Sequence, residues 1–587
     1  MNNILLVNKY FNTDWRKSFN SDNFFNVIEF NNRHENSDNQ DKILSKFIIN
    51  KICEKKDINS ITLPISLTEN PLNLTGLIFG HHIRLDEDEQ IRYLPLIYYS
   101  PINFEILLKL DPLSNILVTP NVFFVDLKKY NFQKIKISIE NFLQKKKTFD
   151  YSVFLDRIDI KPPVDYQSHH NLDNELALFH WSKYIGCDDE ISEIKEKLKY
   201  NLYIKYYQEK NKEYLKISSN EEFGNLPKFK EINENTKILL IDDDAKKGWG
   251  TFFEHLFNAH SIEFASLDTS KIEKREEIIE SSIKKVEEFD PDVVILDLRL
   301  SKKEDYVPES YTNPKILTGF KILEAIKNKN KGIQVIIFTA SDKVWNYREL
   351  INQGADDYFI KKVDDKIKNQ IENLIKCINN SIKRASFLKN VFTIIEKIKE
   401  FIINHDYFND HEKNEIIYDL DFSFELISMY NKNNNYLEYG FLQLYKCIEK
   451  FTDNSNIISY DSNEIKVNKE TITIAKKNDE KKWESEIVYE KGIYIKKKGL
   501  IEDKYIKDTH FKVSAVLLFL FLDDDISEEE NIKSKWSNIN KIRNDRAHGN
   551  YKKIYKNNKK VTEKHILNIL DFIEFLFNVR NIKTTKS

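Results

Sequence analysis

Between residues 237 and 361 the chain carries four short runs in which apolar residues follow one another almost unbroken: KILLIDDD, VVILDLRL, VIIFTAS and GADDYFIKK. Runs this short predict strands covered on both faces, as in a parallel sheet. Each run closes on polar residues. Asp242 and Asp243 close the first strand, Asp297 the third, Thr339 the fourth and Lys361 the fifth. A doubly wound sheet collects its functional groups beyond the carboxyl ends of its strands. Three carboxylates, a hydroxyl and a lysine are therefore expected in one pocket.

Elsewhere the period changes. From Val363 to about His405, the residues Ile367, Ile371, Leu374, Ile375 and Ile378 recur at helical spacing. NELALFHWSKYI and DDEISEIKEKLKYNLYIKYYQE, within 145–230, predict a helical connector with charges on its outer face. In GFLQLYKCIEKF, Phe441, Leu444, Tyr445 and Ile448 fall on one helix face. EIKVNKETITIAKK and SEIVYEKGIYIKKK alternate instead, predicting β-hairpins between helices. VSAVLLFLFL (513–522) is apolar but too short to cross a bilayer, and predicts a buried helix.

The first ~140 residues repeat the 237–361 pattern with its chemistry removed. NILLVN matches the first strand, SITLPISL matches VVILDLRL, LTGLIFGHHIR matches LTGFKILEAIK, and YLPLIYYS matches IQVIIFT. Asn8 and Lys9 replace the acidic pair, Pro64 stands at the place of Asp297, and Ser100 falls near that of Thr339. This copy is expected to be unable to take up a phosphoryl group, and to serve docking or dimerisation.

Composition narrows the class. A chain of 587 residues predicts about four domains. Charged residues make up 31%, yet the net charge is −3, so no nucleic-acid surface is advertised by bulk charge. The heavy use of Lys, Asn and Ile reads as a genome bias. Cys53, Cys187, Cys377 and Cys447 form no CxxC pair, which argues against zinc or a disulfide framework and fits a reducing cytosol. The N-terminus lacks a basic region followed by an apolar core, so a cytoplasmic protein with no membrane segment is expected.

Clustered carboxylates attract a hard cation such as Mg2+, which takes oxygen ligands. One carboxylate can then act as nucleophile toward phosphorus, while a lysine and a hydroxyl meet the phosphoryl oxygens. With these residues in this order, the segment resembles the receiver domain of two-component response regulators. That resemblance implies Asp297 as phosphoacceptor, Asp242 and Asp243 with Asp297 as Mg2+ ligands, and Thr339, Lys361 and Tyr358 as the phosphate switch. It also implies a sensor histidine kinase or phosphotransfer protein as partner. Two departures stand out. Lys362 replaces the usual proline after the lysine, and the stretch from Ser301 to Gly319 is long for this family. SHHNLDNEL (168–176) faintly matches a phosphotransfer histidine box, with His169 or His170 as acceptor, but histidines at a helix start are the plainer account.

Near the C-terminus, KWSNINKIRNDRAHGNY places Arg543 five positions before His548, with Asn544 one helical turn before that histidine and Gly549 as a stop. Following an LQLYKCIE helix, this resembles the Arg-x4-His signature of HEPN domains. The resemblance implies a metal-independent ribonuclease acting as a homodimer on RNA. His548 would take the proton of a ribose 2′-hydroxyl, Arg543 would meet the phosphate, and Asn544 would orient either.

The expected fold class is multidomain α/β plus α. A degenerate receiver-like domain spans 1–140, a helical connector 145–230, a flavodoxin-like doubly wound receiver 235–382, and a helical HEPN-like bundle with a β-hairpin insert 385–587. The expected function is an effector in which Asp297 gates the ribonuclease, by analogy in antiphage defence or growth arrest. The alternative is a non-catalytic adaptor whose bundle binds RNA or a protein. A DNA-binding regulator is disfavoured, because the last third holds no helix-turn-helix pattern.

Overall fold

The computed structural model describes residues 2–578 except 9–23, 31–39, 54–56, 71, 129–131, 145–148, 164–165, 167–168, 213–228, 230–235, 259, 302–303, 305–313, 341–343, 364–365, 405–407, 431–432, 468–471, 491–492, 522–525 and 548–559. Two parallel sheets of the same topology lie in the first two thirds. The first comprises β1 (Asn2–Asn8), β2 (Phe25–Phe30), β3 (Ile58–Pro64), β4 (Leu96–Ser100) and β5 (Val122–Asp126), in the order β2-β1-β3-β4-β5. Helices α1 (Gln40–Ile48) and α2 (Thr75–Arg84) are among its crossovers. Alternate residues separate its two faces: Ile4, Leu6, Ile61 and Leu63 enter one core, while Leu5, Val7, Ile97 and Tyr99 enter another.

The connector follows as α3 (His169–Ile185), α4 (Ser192–Tyr200) and α5 (Leu202–Lys210). Its packing departs from a charged, solvated face. Trp181 is fully buried, and Leu172, Leu176, Leu178 and Ile204 join a core that runs from the first sheet into the second. Polar residues Asn174, Glu175, His180 and Ser182 are buried too, which blurs the amphipathic pattern in the sequence.

The second sheet comprises β6 (Thr236–Asp242), β7 (Ile262–Asp268), β8 (Val293–Leu296), β9 (Gln334–Thr339) and β10 (Asp357–Ile360), in the order β10-β9-β8-β6-β7. All its pairings are parallel. Counted locally, both sheets have strand order 2-1-3-4-5, the doubly wound arrangement with one switch point. Helices α6 (Gly250–Phe257), α7 (Arg275–Phe289), α8 (Thr318–Lys329) and α9 (Val344–Asn352) connect the strands.

The internal repeat extends to backbone detail. A Cβ on Gly319 would lie 2.2 Å from the carbonyl oxygen of Asp297, and one on Gly76 would lie 1.8 Å from that of Pro64. Gly319 N donates to Leu298 O at 3.0 Å, and Gly76 N to Ile65 O at 2.9 Å. Both helices thus approach the same strand end closely enough that only glycine fits.

One helix, α10 (Ile367–Asn404), follows the second sheet without a break. At 38 residues it is about 57 Å long. Its first half buries Ile371, Leu374 and Ile378 beneath the sheet; its second half gives Val391, Ile395, Ile398 and Ile402 to the C-terminal core. The expected division between 382 and 385 therefore falls inside a continuous helix. Arg384, at that division, lies 3.5 Å from Asp356 and donates to the carbonyl of Ser428 at 3.2 Å.

The last third contains α11 (Asp410–Ser428) and α12 (Asn435–Asp453), and then a five-stranded antiparallel sheet. The strands, β11 (Ile458–Tyr460), β12 (Glu464–Val467), β13 (Ile472–Lys477), β14 (Trp483–Glu490) and β15 (Ile493–Ile501), pair in chain order. Helices α13 (Thr509–Val516), α14 (Ile526–Ala547) and α15 (Glu563–Asn578) follow. The alternating stretches thus form one meander, larger than isolated hairpins. Among the described residues, no helix is long and apolar enough to cross a membrane.

Candidate functional site

The sheet's carboxyl edge gathers the sequence-predicted residues. Asp242 closes β6 and is fully buried; Asp243 follows it. Asp297 stands one residue past β8, Thr339 closes β9, and Lys361 lies one residue past β10. Ligand oxygens of Asp242, Asp243 and Asp297 all fall within 4.8 Å of one another. Lys361 Nζ donates to Asp242 Oδ2 at 2.7 Å and lies 3.5 Å from Asp297 Oδ2. Backbone amides hold the carboxylates from below. Asp244 N donates to Asp242 Oδ1 at 2.7 Å, and Leu298 N to Asp297 Oδ1 at 2.7 Å. Lys361 N donates to Thr339 O at 2.8 Å, which fixes the lysine beside the buried threonine. Tyr358, on β10, is half-buried, with its ring edge-on to Tyr347 at 5.8 Å.

The electrostatics follow from that crowding. Burial raises the Asp242 carboxyl to about 7, Asp297 and Asp244 push the same way, and Lys361 opposes them. Asp243 is raised well above the usual carboxylate range by burial and then by Asp244, Asp242 and Asp297. Asp297 is raised as well, chiefly by burial. Burial depresses Lys361, but Asp242 and Asp297 outweigh it and hold the ammonium above its ordinary value. One lysine thus faces three carboxylates. Hard oxygen donors at this spacing, with excess negative charge, fit a divalent cation such as Mg2+.

Sequence reasoning passed over the floor of this pocket. Lys361 Nζ lies 4.9 Å from the Phe338 ring and 5.6 Å from that of Trp249. Both aromatics are fully buried, so the lysine is aimed at the carboxylates from an apolar bed. The only sequence signal for Trp249 is its place between two glycines, GWG, after the acidic pair. The long segment after Asp297 also contributes. Glu304 is buried and accepts at Oε1 from Thr318 N (2.8 Å) and Thr318 Oγ1 (2.6 Å), capping α8 from within that segment.

Residues 264–372 match the response regulator receiver domain model, and residues 11–125 match the inactive receiver domain model. The chain carries two receiver domains. The match to the active type begins beyond Asp242 and Asp243 but includes Asp297, Thr339, Tyr358 and Lys361. Relatives agree. The regulatory protein LuxO of Vibrio cholerae is 29% identical over 109 residues, covering 19% of this chain and 20% of that protein. LuxO of Vibrio vulnificus is 30% identical over 100 residues, covering 17% and 18%. The chain thus spans about a fifth of the length of the curated relatives it matches. Among solved structures, a response regulator receiver domain protein from Clostridium thermocellum is 25% identical, covering 26% of this chain and 98% of that one with a TM-score of 0.19. The receiver domain of the Francisella response regulator 1452 is 24% identical, covering 26% and 98%, with a TM-score of 0.18. Residues 264–372 are thus a receiver domain of the response regulator type, and they are preceded by a match to the inactive type.

The second predicted site is only partly described. Arg543 and Asn544 lie on α14, and Arg543 Nη1 donates to Asn544 Oδ1 at 3.0 Å. Arg543 Nη2 also pairs with Glu449 Oε1 at 3.1 Å, and its guanidinium sits 5.2 Å from the Tyr445 ring on α12. Tyr445 Oη donates to Asn540 Oδ1 at 3.0 Å, locking α12 against α14. His548 lies outside the described residues, and so do the side chains of His169 and His170.

Proposed function

We propose that Asp297 is the phosphoacceptor of a signal-gated effector. The observation that supports this is the Asp242–Asp243–Asp297 cluster with Lys361 bridging toward Asp242 and Asp297. A carboxylate oxygen of Asp297 attacks the phosphorus of a phosphohistidine or of acetyl phosphate. The new O–P bond forms as the P–N or P–O bond breaks, and the electron pair leaves with the histidine nitrogen or acetate. Lys361 shifts its ammonium toward a phosphoryl oxygen, and the Thr339 hydroxyl donates to another. Asp242, Asp243 and Asp297 would hold a Mg2+, which when bound would neutralise negative charge during the transfer. Tyr358 belongs to the surface that responds.

The output is the C-terminal domain, reached through α10, whose two halves belong to two cores. In this reading it is a HEPN-type ribonuclease that acts as a homodimer without metal. His548 takes the 2′-hydroxyl proton as the 2′-oxygen bonds to phosphorus, the P–O5′ bond breaks and the 5′-oxygen leaves, taking up a proton to become a 5′-hydroxyl; Arg543 meets the phosphate and Asn544 orients either group. The setting, by analogy of domain pairing, is antiphage defence or growth arrest. The Arg543–Glu449 ion pair favours a second reading, a non-catalytic adaptor, because a phosphate would have to displace Glu449 from the guanidinium. The test is incubation of total RNA with the full chain, with and without prior acetyl phosphate treatment. The ribonuclease reading expects fragments ending in 2′,3′-cyclic phosphate that change in amount on phosphorylation and vanish in His548→Ala. No cleavage by either form supports the adaptor.

A further inference from the structure

The helix that links the two receivers reaches into the phosphorylation site. Asn174, on α3, is buried and uses both ends of its amide. Nδ2 donates to Asp244 Oδ2 at 2.6 Å, and Oδ1 accepts from Trp249 Nε1 at 2.9 Å. Lys247 Nζ holds the other Asp244 oxygen at 2.5 Å. Asp244 N in turn donates to Asp242 Oδ1, Lys361 Nζ to Asp242 Oδ2, and the Trp249 ring lies under Lys361. These contacts close a circuit: Asn174, Asp244, Asp242, Lys361, Trp249 and back to Asn174.

Two turns further along the same face, Trp181 adds a second tether. Its Nε1 donates to Gln370 Oε1 at 3.0 Å, and Gln370 Nε2 donates to the carbonyl of Lys362 at 2.7 Å. One helix from outside the receiver sheet thus holds both the turn after β6, which carries the acidic pair, and the turn after β10, which carries the lysine. The Asn174 amide meets both needs at once, donating from Nδ2 to the carboxylate and accepting the indole N–H at Oδ1. The rest of the connector carries the link onward. Glu175 and Asp173 on α3 meet Lys197 on α4 at 3.2 Å and Tyr207 on α5 at 3.4 Å. Leu202 N donates to Asp41 Oδ2 at 2.9 Å, and Glu209 pairs with Arg92 at 3.0 Å, so α5 is fastened to the inactive receiver.

We propose that Asn174 is a positioning residue of the phosphorylation site, supplied by the connector, and that cation binding there is coupled through α3 to the seating of the inactive receiver. This rests on the reading that Asp242, Asp243 and Asp297 hold a divalent cation. Outer contacts that fix ligand carboxylates govern how tightly the ion is held. The coupling is reciprocal: a bound cation tightens α3 by as much as α3 tightens the cation.

The test uses the full chain and MgCl2 alone, with no phosphodonor. Calorimetric titration should find Asn174→Ala binding Mg2+ about tenfold more weakly than wild type. Hydrogen exchange should find α3 amides protected by Mg2+ in wild type and unprotected in Asn174→Ala. Leu176→Ala, at a buried packing residue on the same helix, loosens α3 but leaves the Asn174 hydrogen bonds in place, and should weaken Mg2+ less than Asn174→Ala does. Trp249→Phe keeps a ring under Lys361 but removes the indole donor, and should also weaken Mg2+. Asn174→Ala within about twofold of wild type overturns the proposal, as does an equal loss in Leu176→Ala. Where Asn174→Ala does not fold, Trp249→Phe decides, and unchanged affinity there overturns it. Wild type that binds no Mg2+ overturns the cation reading itself, before any variant is compared.

Discussion

The buried carboxylates make the receiver's stability depend on pH in an unusual direction. Asp242 is carried from an ordinary 3.8 to about 7 in the folded chain. A folded state that holds its proton more tightly than the unfolded state loses stability as pH rises through that interval. Below about pH 4 both states are protonated, and above about pH 7 both are ionised. The interval therefore removes about 4 kcal/mol from this carboxyl alone, a large part of a typical domain's stability. Asp243 and Asp297 are raised too and act in the same sense. Adding Mg2+ should reverse the trend, because a bound cation favours the ionised carboxylates and releases their protons. The assay is hydrogen exchange of peptides covering β6 and β8 at pH 5.5 and 7.5 in EDTA, with rates corrected for the intrinsic pH dependence, then in MgCl2. Opening free energy should fall between the two pH values in EDTA, fall much less in Asp242→Asn, and recover with Mg2+ at pH 7.5. A wild type whose opening free energy rises with pH in EDTA, or an Asp242→Asn variant with the wild-type slope, would refute the account of the cluster.

Other outcomes follow from named contacts. Gly319→Ala forces a Cβ to 2.2 Å from the Asp297 carbonyl, so labelling by acetyl phosphate should drop and the melting temperature fall by several degrees in calorimetry. Gly76→Ala makes the same clash at Pro64 but should leave labelling intact. Pro64→Asp should not make the inactive receiver label, tested in an Asp297→Ala background, because Asn8 and Lys9 stand where an acidic pair is needed. In the C-terminal domain, Arg543→Lys should rescue RNA cleavage poorly, since lysine lacks the planar fork of donors, whereas Glu449→Gln should release Arg543 and raise cleavage in EDTA.

Much of the receiver's chemistry was legible because β6, β8 and β9 are covered on both faces and read as unbroken apolar runs. Asp242, Asp297 and Thr339 then stand out as the polar residues at their ends, while Lys361 follows the short, half-buried edge strand β10. Edge strands were not legible in the same way. FNVIEF (β2) and IEFASLD (β7) lie at or beside open edges and mix exposed with half-buried positions, so neither offers a clean period. The inactive copy was found through four matching segments; one of them, LTGLIFGHHIR, carries a glycine that the same close approach requires in both domains. The connector was read as helical, but its role was not. Asn174 is a buried polar residue whose partners are 70 and 75 positions away in sequence, and no local pattern marks such a pair. Near residue 385, α10 keeps one helical period while it passes from one core, which ends with Ala385, to the next, which begins with Phe387, so no break in the pattern marks the handover.

The central claim is that Asp297 carries the phosphoryl group, and a phosphate-affinity gel tests it most directly. Full-length protein incubated with acetyl phosphate and MgCl2 should give a retarded band that is absent in EDTA and absent in Asp297→Ala. A retarded band that persists in Asp297→Ala would contradict the account and send the search to His170.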